Sequence, residues 1–218
     1  MTKNNRNGAN NATIDIGLLE NVLGNVLSKQ TPLKKDIAAS DWLELKRALN
    51  PINNMITKKL TVEFIKNLKK IFKKTSDSLL KEINIERYLE DVDKGNVNAN
   101  GYDFEDGHIV AEVKANIPYE GEKYGSSQKS GLKKDLDGLI LKPKNNLTLK
   151  ELKNYYRFLV VLDYKRINEY NNLKYDTDSA VANLKEGYQF KDDVKIIDDV
   201  NNPPLLDKKY VYIVKLGL

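Results

Sequence analysis

The residues best suited to chemistry lie close together in the chain. Asp103 stands nine positions before the triplet Glu112-Val113-Lys114, with Asp106-Gly107 between them. Asp-Gly is a strong signal for a two-residue hairpin turn. With that pair as the turn, Glu105 faces His108, Asp103 faces Val110 and Gly101 faces Glu112. Alternation along a strand then puts Asp103, Glu105, Glu112 and Lys114 on one face. Asp103 and Glu112 become diagonal neighbours, with Cα atoms roughly 7 Å apart. Two carboxylates at that reach can share one hard cation, and the main-chain carbonyl of Val113 can add a ligand while its side chain points into the core. A lysine beside two acids on a half-buried strand is costly unless paired, which marks a site rather than packing.

An acid-x-Lys triplet is common in so charged a chain: Glu44-Leu-Lys46, Glu151-Leu-Lys153, Asp193-Val-Lys195 and Asp207-Lys-Lys209 also fit. Three features separate Glu112-Val113-Lys114 from these. It sits in a strand, a hairpin brings an acid to its face, and a helix follows directly. The competing reading is a solvent-facing hairpin with an ordinary cross-strand charge pair. Asp93, at the edge of a loop, is a rival first acid; Asp106 is needed in the turn.

Composition removes other chemistries. Cysteine is absent, which excludes a thiol nucleophile, a Cys-ligated zinc and a disulfide framework. With His108 the single histidine, a catalytic triad or a histidine-rich metal site would rest on one residue flanking a turn, where solvation is expected. Net charge is +5 with a pI near 9.0, which permits a polyanionic partner without demanding one. No stretch approaches the ~20 apolar residues of a membrane span, and no apolar leader follows Met1. The chain therefore reads as cytoplasmic, with no membrane partner and no small-molecule cofactor.

The elements that must position these residues follow from periodicity. Residues 1–12 read as a flexible arm and 13–218 as one domain, with a helical layer over 13–92 and an α/β core over 93–218. Leu19, Val22, Leu23, Val26 and Leu27 repeat at helical spacing. Ser40 is an N-cap for a second helix stopped before Pro51, Thr61 opens a third, and Thr75 or Ser76 caps a fourth running to Tyr88-Leu89. After the hairpin, a helix is expected from Gln128 to about Leu141, with Leu132, Leu136, Leu139 and Ile140 on one face. A helical turn is expected over 148–155. Arg157 to Asp163 is an apolar run typical of a strand buried on both faces. Residues 165–207 are polar, with a helix over 179–185, and Lys209 to Lys215 forms a last strand. The order predicts an α/β (α+β) domain with a central mixed sheet, flanking helices and an N-terminal helical layer.

Tyr102-Asp103, Ala111-Glu112-Val113-Lys114 and the helix opening at Gly125-Ser-Ser-Gln128 resemble the core of the PD-(D/E)xK nuclease superfamily, the type II restriction endonucleases in particular. The resemblance covers roughly residues 80–165 plus the last strand. One departure is that Tyr102, not proline, precedes Asp103. The resemblance implies a restriction-endonuclease-like sheet and a Mg²⁺-dependent, site-specific double-stranded DNA endonuclease that leaves 5′-phosphate and 3′-hydroxyl ends. It implies that Asp103, Glu112 and the Val113 carbonyl hold Mg²⁺, and that Lys114 holds the attacking water and offsets phosphorane charge. Glu86 or Glu90 would assist a second cation, and Gln128 would orient the lysine or touch a phosphate. A palindromic target would imply a homodimer.

Lys123, Tyr124, Ser126, Ser127, Lys129, Lys133 and Lys134 combine donors, positive charge and an aromatic just after the active strand, which suits phosphate positioning. Two other readings stand beside this one: a structure-specific or repair nuclease with the same core, and a basic nucleic-acid-binding module without catalysis. The last would not need Asp103, Glu112 and Lys114 on one face.

Overall fold

The computed structural model describes residues 39–75, 82–94, 101–106, 108–118, 122–144, 147–167 and 174–218. The expected arm over 1–12 and the first expected helix lie outside them. The chain divides into two units, Met1–Thr57 and Lys58–Leu218. The described part of the first is helical; the second holds the sheet and the candidate site. Among the described residues, no helix is long and apolar enough to cross a membrane.

Helix α1 spans Ala39–Ile71 without a break. The stop expected at Pro51 and the new start expected at Thr61 are both corrected. Proline removes one backbone hydrogen bond and clashes with the preceding turn, but the helix continues on both sides of it. Thr61 is buried within the helix, beside the fully buried Leu60, Phe64, Ile65 and Leu68. Burial of that stripe outweighs the local propensity to start a helix at Thr61. Helix α2 spans Ile85–Lys94, and its cap is Asn84, whose side chain accepts from the Arg87 N–H at 3.0 Å. The expected start at Thr75 or Ser76 is therefore corrected for this helix; residues 76–81 lie outside the described ones.

Strands β1 (Phe104–Asp106) and β2 (Ile109–Lys114) form the hairpin. Helix α3 (Ser126–Ile140) and the single turn α4 (Leu149–Leu152) lead into β3 (Tyr156–Leu162). Strands β4 (Lys165–Ile167) and β5 (Lys174–Asp176) make a separate antiparallel pair. Helix α5 (Thr177–Glu186), β6 (Val194–Ile197) and β7 (Val211–Leu216) complete the unit. The fold is mixed α/β, with a five-stranded sheet ordered β1-β2-β3-β7-β6. β2, β3, β7 and β6 are parallel and β1 is antiparallel at the edge. The short strands β4, β5 and β6 went unread in a polar stretch, because each offers only three or four residues.

Both faces of the sheet are covered, which is why β3 is apolar from Phe158 to Leu162. On one side Phe64 of α1 meets Phe104 and Phe158 at ring distances of 5.9 and 5.3 Å. On the other, Val110, Leu159, Val161, Val211 and Ile213 pack with Leu132, Leu136 and Leu139 of α3 and with Val181 and Leu184 of α5.

Arg157 is a buried charge within that second layer. Its guanidinium donates to the carbonyl of Leu139 at 3.1 Å and to those of Lys208 and Lys209 at 2.5 and 2.9 Å. It thereby ties the C-terminal turn of α3 to the segment before β7. Burial pulls its pKa below the usual arginine value. Arg157→Met would leave three carbonyls without these donors, while relieving the burial of a charge. A net loss of about 2–4 kcal/mol is expected, read as a lower urea midpoint at unchanged slope. A midpoint equal to the parent's would show that the guanidinium does not hold α3.

Candidate functional site

The hairpin register decides where the acids fall. Phe104 pairs with Ala111, Glu105 with Val110 and Asp106 with Ile109. The strands are thus joined two residues further along than the Asp106-Gly107 turn requires, and Asp106 is corrected from a turn residue to the last strand pair. Its carboxylate instead accepts from Arg87 at 2.6 Å and from the Tyr88 hydroxyl, tying β1 to α2. A slip of one residue would have reversed every side chain; a slip of two preserves the faces. It also brings Asp103, which directly precedes the pair Phe104–Ala111, to the level of Glu112 rather than diagonal to it.

Asp103 is fixed by the backbone. Its Oδ2 accepts from the Val113 N–H at 2.8 Å and from the Lys114 ammonium at 3.2 Å. The same ammonium lies 3.2 Å from Oε2 of Glu112 and 3.6 Å from Oδ1 of Asp135. Lys114 thus gathers three carboxylates: one from before β1, one from β2 and one from α3. Asp135 was not singled out from the sequence. Its spacing from Leu132, Leu136 and Leu139 puts it near the buried stripe of α3, and that was the available signal.

Glu112 is only 1 % exposed, so the face that the hairpin alone would open to solvent is roofed by α3. Its other oxygen, Oε1, is paired with the ammonium of Lys144, four residues beyond the end of α3. Lys144 was also missed, since nothing in its local sequence points to β2. Burial pushes the Glu112 carboxyl above its ordinary pKa, against the pull of Lys144 and Lys114. Asp135 is raised by burial as well. Burial opposes the charge on Lys114, but Asp103, Asp135 and Glu112 outweigh it and hold the ammonium protonated well above the usual lysine range.

The other candidate residues are placed elsewhere. Asp93 is exposed and pairs with Lys58 at 3.1 Å. Glu86 is exposed at the start of α2, and Glu90 is exposed and pairs with Lys94 at 3.2 Å. Gln128 accepts from the Gly125 N–H at 3.1 Å, closing the N-terminus of α3. His108 is exposed, 3.2 Å from Glu82. Tyr124 is 6 % exposed and belongs to the core rather than to the surface. Lys123 and Ser127 are exposed. Ser126, Lys129, Lys133 and Lys134 line a groove along α3 with Ser130 and Asp137, and Lys133 donates to the carbonyl of Gly187.

A second charged cluster lies in the same row of the sheet. Lys114 pairs in register with Val161, and Val161 with Lys215. Lys215 has a nearly buried side chain held by Asp178 of α5 and by Asp198, the latter at 3.0 Å. The carboxyl-terminal ends of β2 and β7 therefore each carry a neutralised lysine.

The site can be tested for a divalent ion by its donors. Among the described residues, no three His, Cys, Asp or Glu side chains gather in a metal-binding arrangement. Mg²⁺ does not need three: it binds through one or two carboxylates and keeps water and phosphate as its other ligands. Asp103 and Glu112 converge on the Lys114 ammonium through Oδ2 and Oε2. With Lys114 in place, Mg²⁺ would bind through their other oxygens, Oε1 of Glu112 being released by Lys144; hard oxygen donors of this kind fit Mg²⁺.

Comparison with protein-family models, with curated proteins and with solved structures returns no significant match.

Proposed function

We propose that this chain is a metal-dependent phosphodiester hydrolase of the nuclease class. One observation carries the reading: Asp103 and Glu112, from two sides of a hairpin, both contact the Lys114 ammonium at 3.2 Å. A binding module has no need of that convergence. Within the class, we read the protein as a site-specific double-stranded DNA endonuclease with a restriction-endonuclease-like core, acting as a homodimer. The resemblance of Tyr102-Asp103 and Ala111-Glu112-Val113-Lys114 to the PD-(D/E)xK pattern supports this, as does a mixed sheet covered by helices on both faces.

Asp103 and Glu112, with the Val113 carbonyl, would hold Mg²⁺. When bound, the ion would supply a Lewis acid for the scissile phosphate and a water of lowered pKa. Lys114 holds the attacking water and offsets charge building on the phosphate, a task suited to a compact ammonium. Asp103, anchored by the Val113 N–H, and Asp135, from α3, fix the direction in which that ammonium points. In-line attack on phosphorus breaks the bond to the 3′ oxygen, leaving a 3′-hydroxyl and a 5′-phosphate. The α3 groove, with Lys129, Lys133, Lys134 and Ser126, offers donors to the DNA backbone.

The test is incubation of the purified protein with a large, fully sequenced, unmethylated phage DNA, with and without Mg²⁺. Discrete bands that require Mg²⁺ are expected, and their ends give the site and the stagger. A Mg²⁺-dependent smear would reduce the reading to a non-specific or repair nuclease. Intact DNA from several genomes, with binding retained, would leave a nucleic-acid-binding module.

A further inference from the structure

Glu112 is held from two sides, and the second partner has no part in the reaction as set out above. Oε2 faces Lys114, on the same strand. Oε1 faces Lys144, from the segment after α3. The backbone of Lys144 is pinned, because its N–H donates to the Tyr102 hydroxyl at 3.2 Å and that hydroxyl donates to the Gly138 carbonyl at 3.2 Å. Its side chain is about one-third exposed, and its ammonium also lies 5.5 Å from the centre of the Tyr102 ring. The ammonium therefore rests against an aromatic face and the Glu112 carboxylate at once.

We propose that Lys144 is a stand-in cation: it occupies Oε1 of Glu112 in the metal-free protein, yields that oxygen to a divalent ion, and remains as a second positive charge toward the phosphate. The inference rests on the nuclease reading and adds a residue to it. Charge balance supports it. Asp103, Glu112 and Asp135 face Lys114 and Lys144, so the metal-free cluster carries one net negative charge. With a divalent ion the same cluster carries one net positive charge, the sign that attracts a phosphodiester. Without Lys144 it would be neutral.

The test is direct binding of Mn²⁺, followed through the signal of the free ion, to the full chain and to Lys144→Met and Lys144→Arg. Lys144→Met is expected to bind Mn²⁺ about tenfold more tightly, since a competitor for Oε1 is gone, while its maximal cleavage rate falls. Lys144→Arg keeps the charge and is expected to bind no more tightly than the parent. Parental or weaker binding by Lys144→Met, in a protein that melts like the parent, overturns the stand-in role alone. Absence of Mn²⁺ binding by the parent overturns the metal reading and this inference with it. If Lys144→Met does not fold, Lys144→Gln carries the same comparison with a polar side chain.

Discussion

Lys114→Met is expected to slow Mg²⁺-dependent DNA cleavage by about a thousandfold or more under single-turnover conditions, while DNA binding is retained. The size follows from its position. The Lys114 side chain touches Asp103, Glu112 and Asp135 together. It is held protonated by those three carboxylates across the whole range in which the protein would work. Removing one preorganised donor from a developing oxyanion costs about a hundred- to a thousandfold, and losing the water's position adds to that. Methionine retains the length of the stem, so packing changes little; Lys114→Arg keeps the charge but not the compact donor and should also be impaired. Cleavage by Lys114→Met at the parental rate would remove the lysine from the mechanism and leave it a structural clamp.

Asp103→Ala is expected to abolish cleavage to a similar degree, and Asp93→Ala to leave it unchanged. Asp103 lies at the level of Glu112 and shares its lysine. Asp93 is exposed on α2 and paired with Lys58. Because two carboxylates would bind one ion, Asp103→Ala combined with Glu112→Gln should be little worse than either change alone. Multiplying effects would mean that the two acids act at separate places. Loss of cleavage in Asp93→Ala with full activity in Asp103→Ala would transfer the first acid to α2.

Much of the architecture could be read locally. The apolar run of β3, the stripe of Leu132, Leu136, Leu139 and Ile140 on α3, and the final strand each carry their periodicity in a few adjacent residues. The structure shows them at Tyr156–Leu162, Ser126–Ile140 and Val211–Leu216. Helix α1 shows the limit of such reading. Thr61 is a local start signal, but it is buried with Leu60, Phe64 and Leu68, and that burial keeps it inside the helix.

At the candidate site, alternation along β2 sufficed to put Asp103, Glu112 and Lys114 on one face, because a side chain's face depends only on parity. The register of the hairpin did not follow from the turn signal. It is set by which aromatic rings bury together, Phe104 with Phe64 and Tyr88, and that is a choice among distant residues. Asp135 and Lys144 meet Glu112 or Lys114 only after α3 crosses the sheet. A contact made by a crossover leaves no spacing in the chain to read. The sequence by itself determined a carboxylate pair and a lysine on one strand face. Tertiary structure decided that this face is roofed, that Glu112 is buried, and that a second lysine holds it, because burial and charge pairing arise only when separate elements meet.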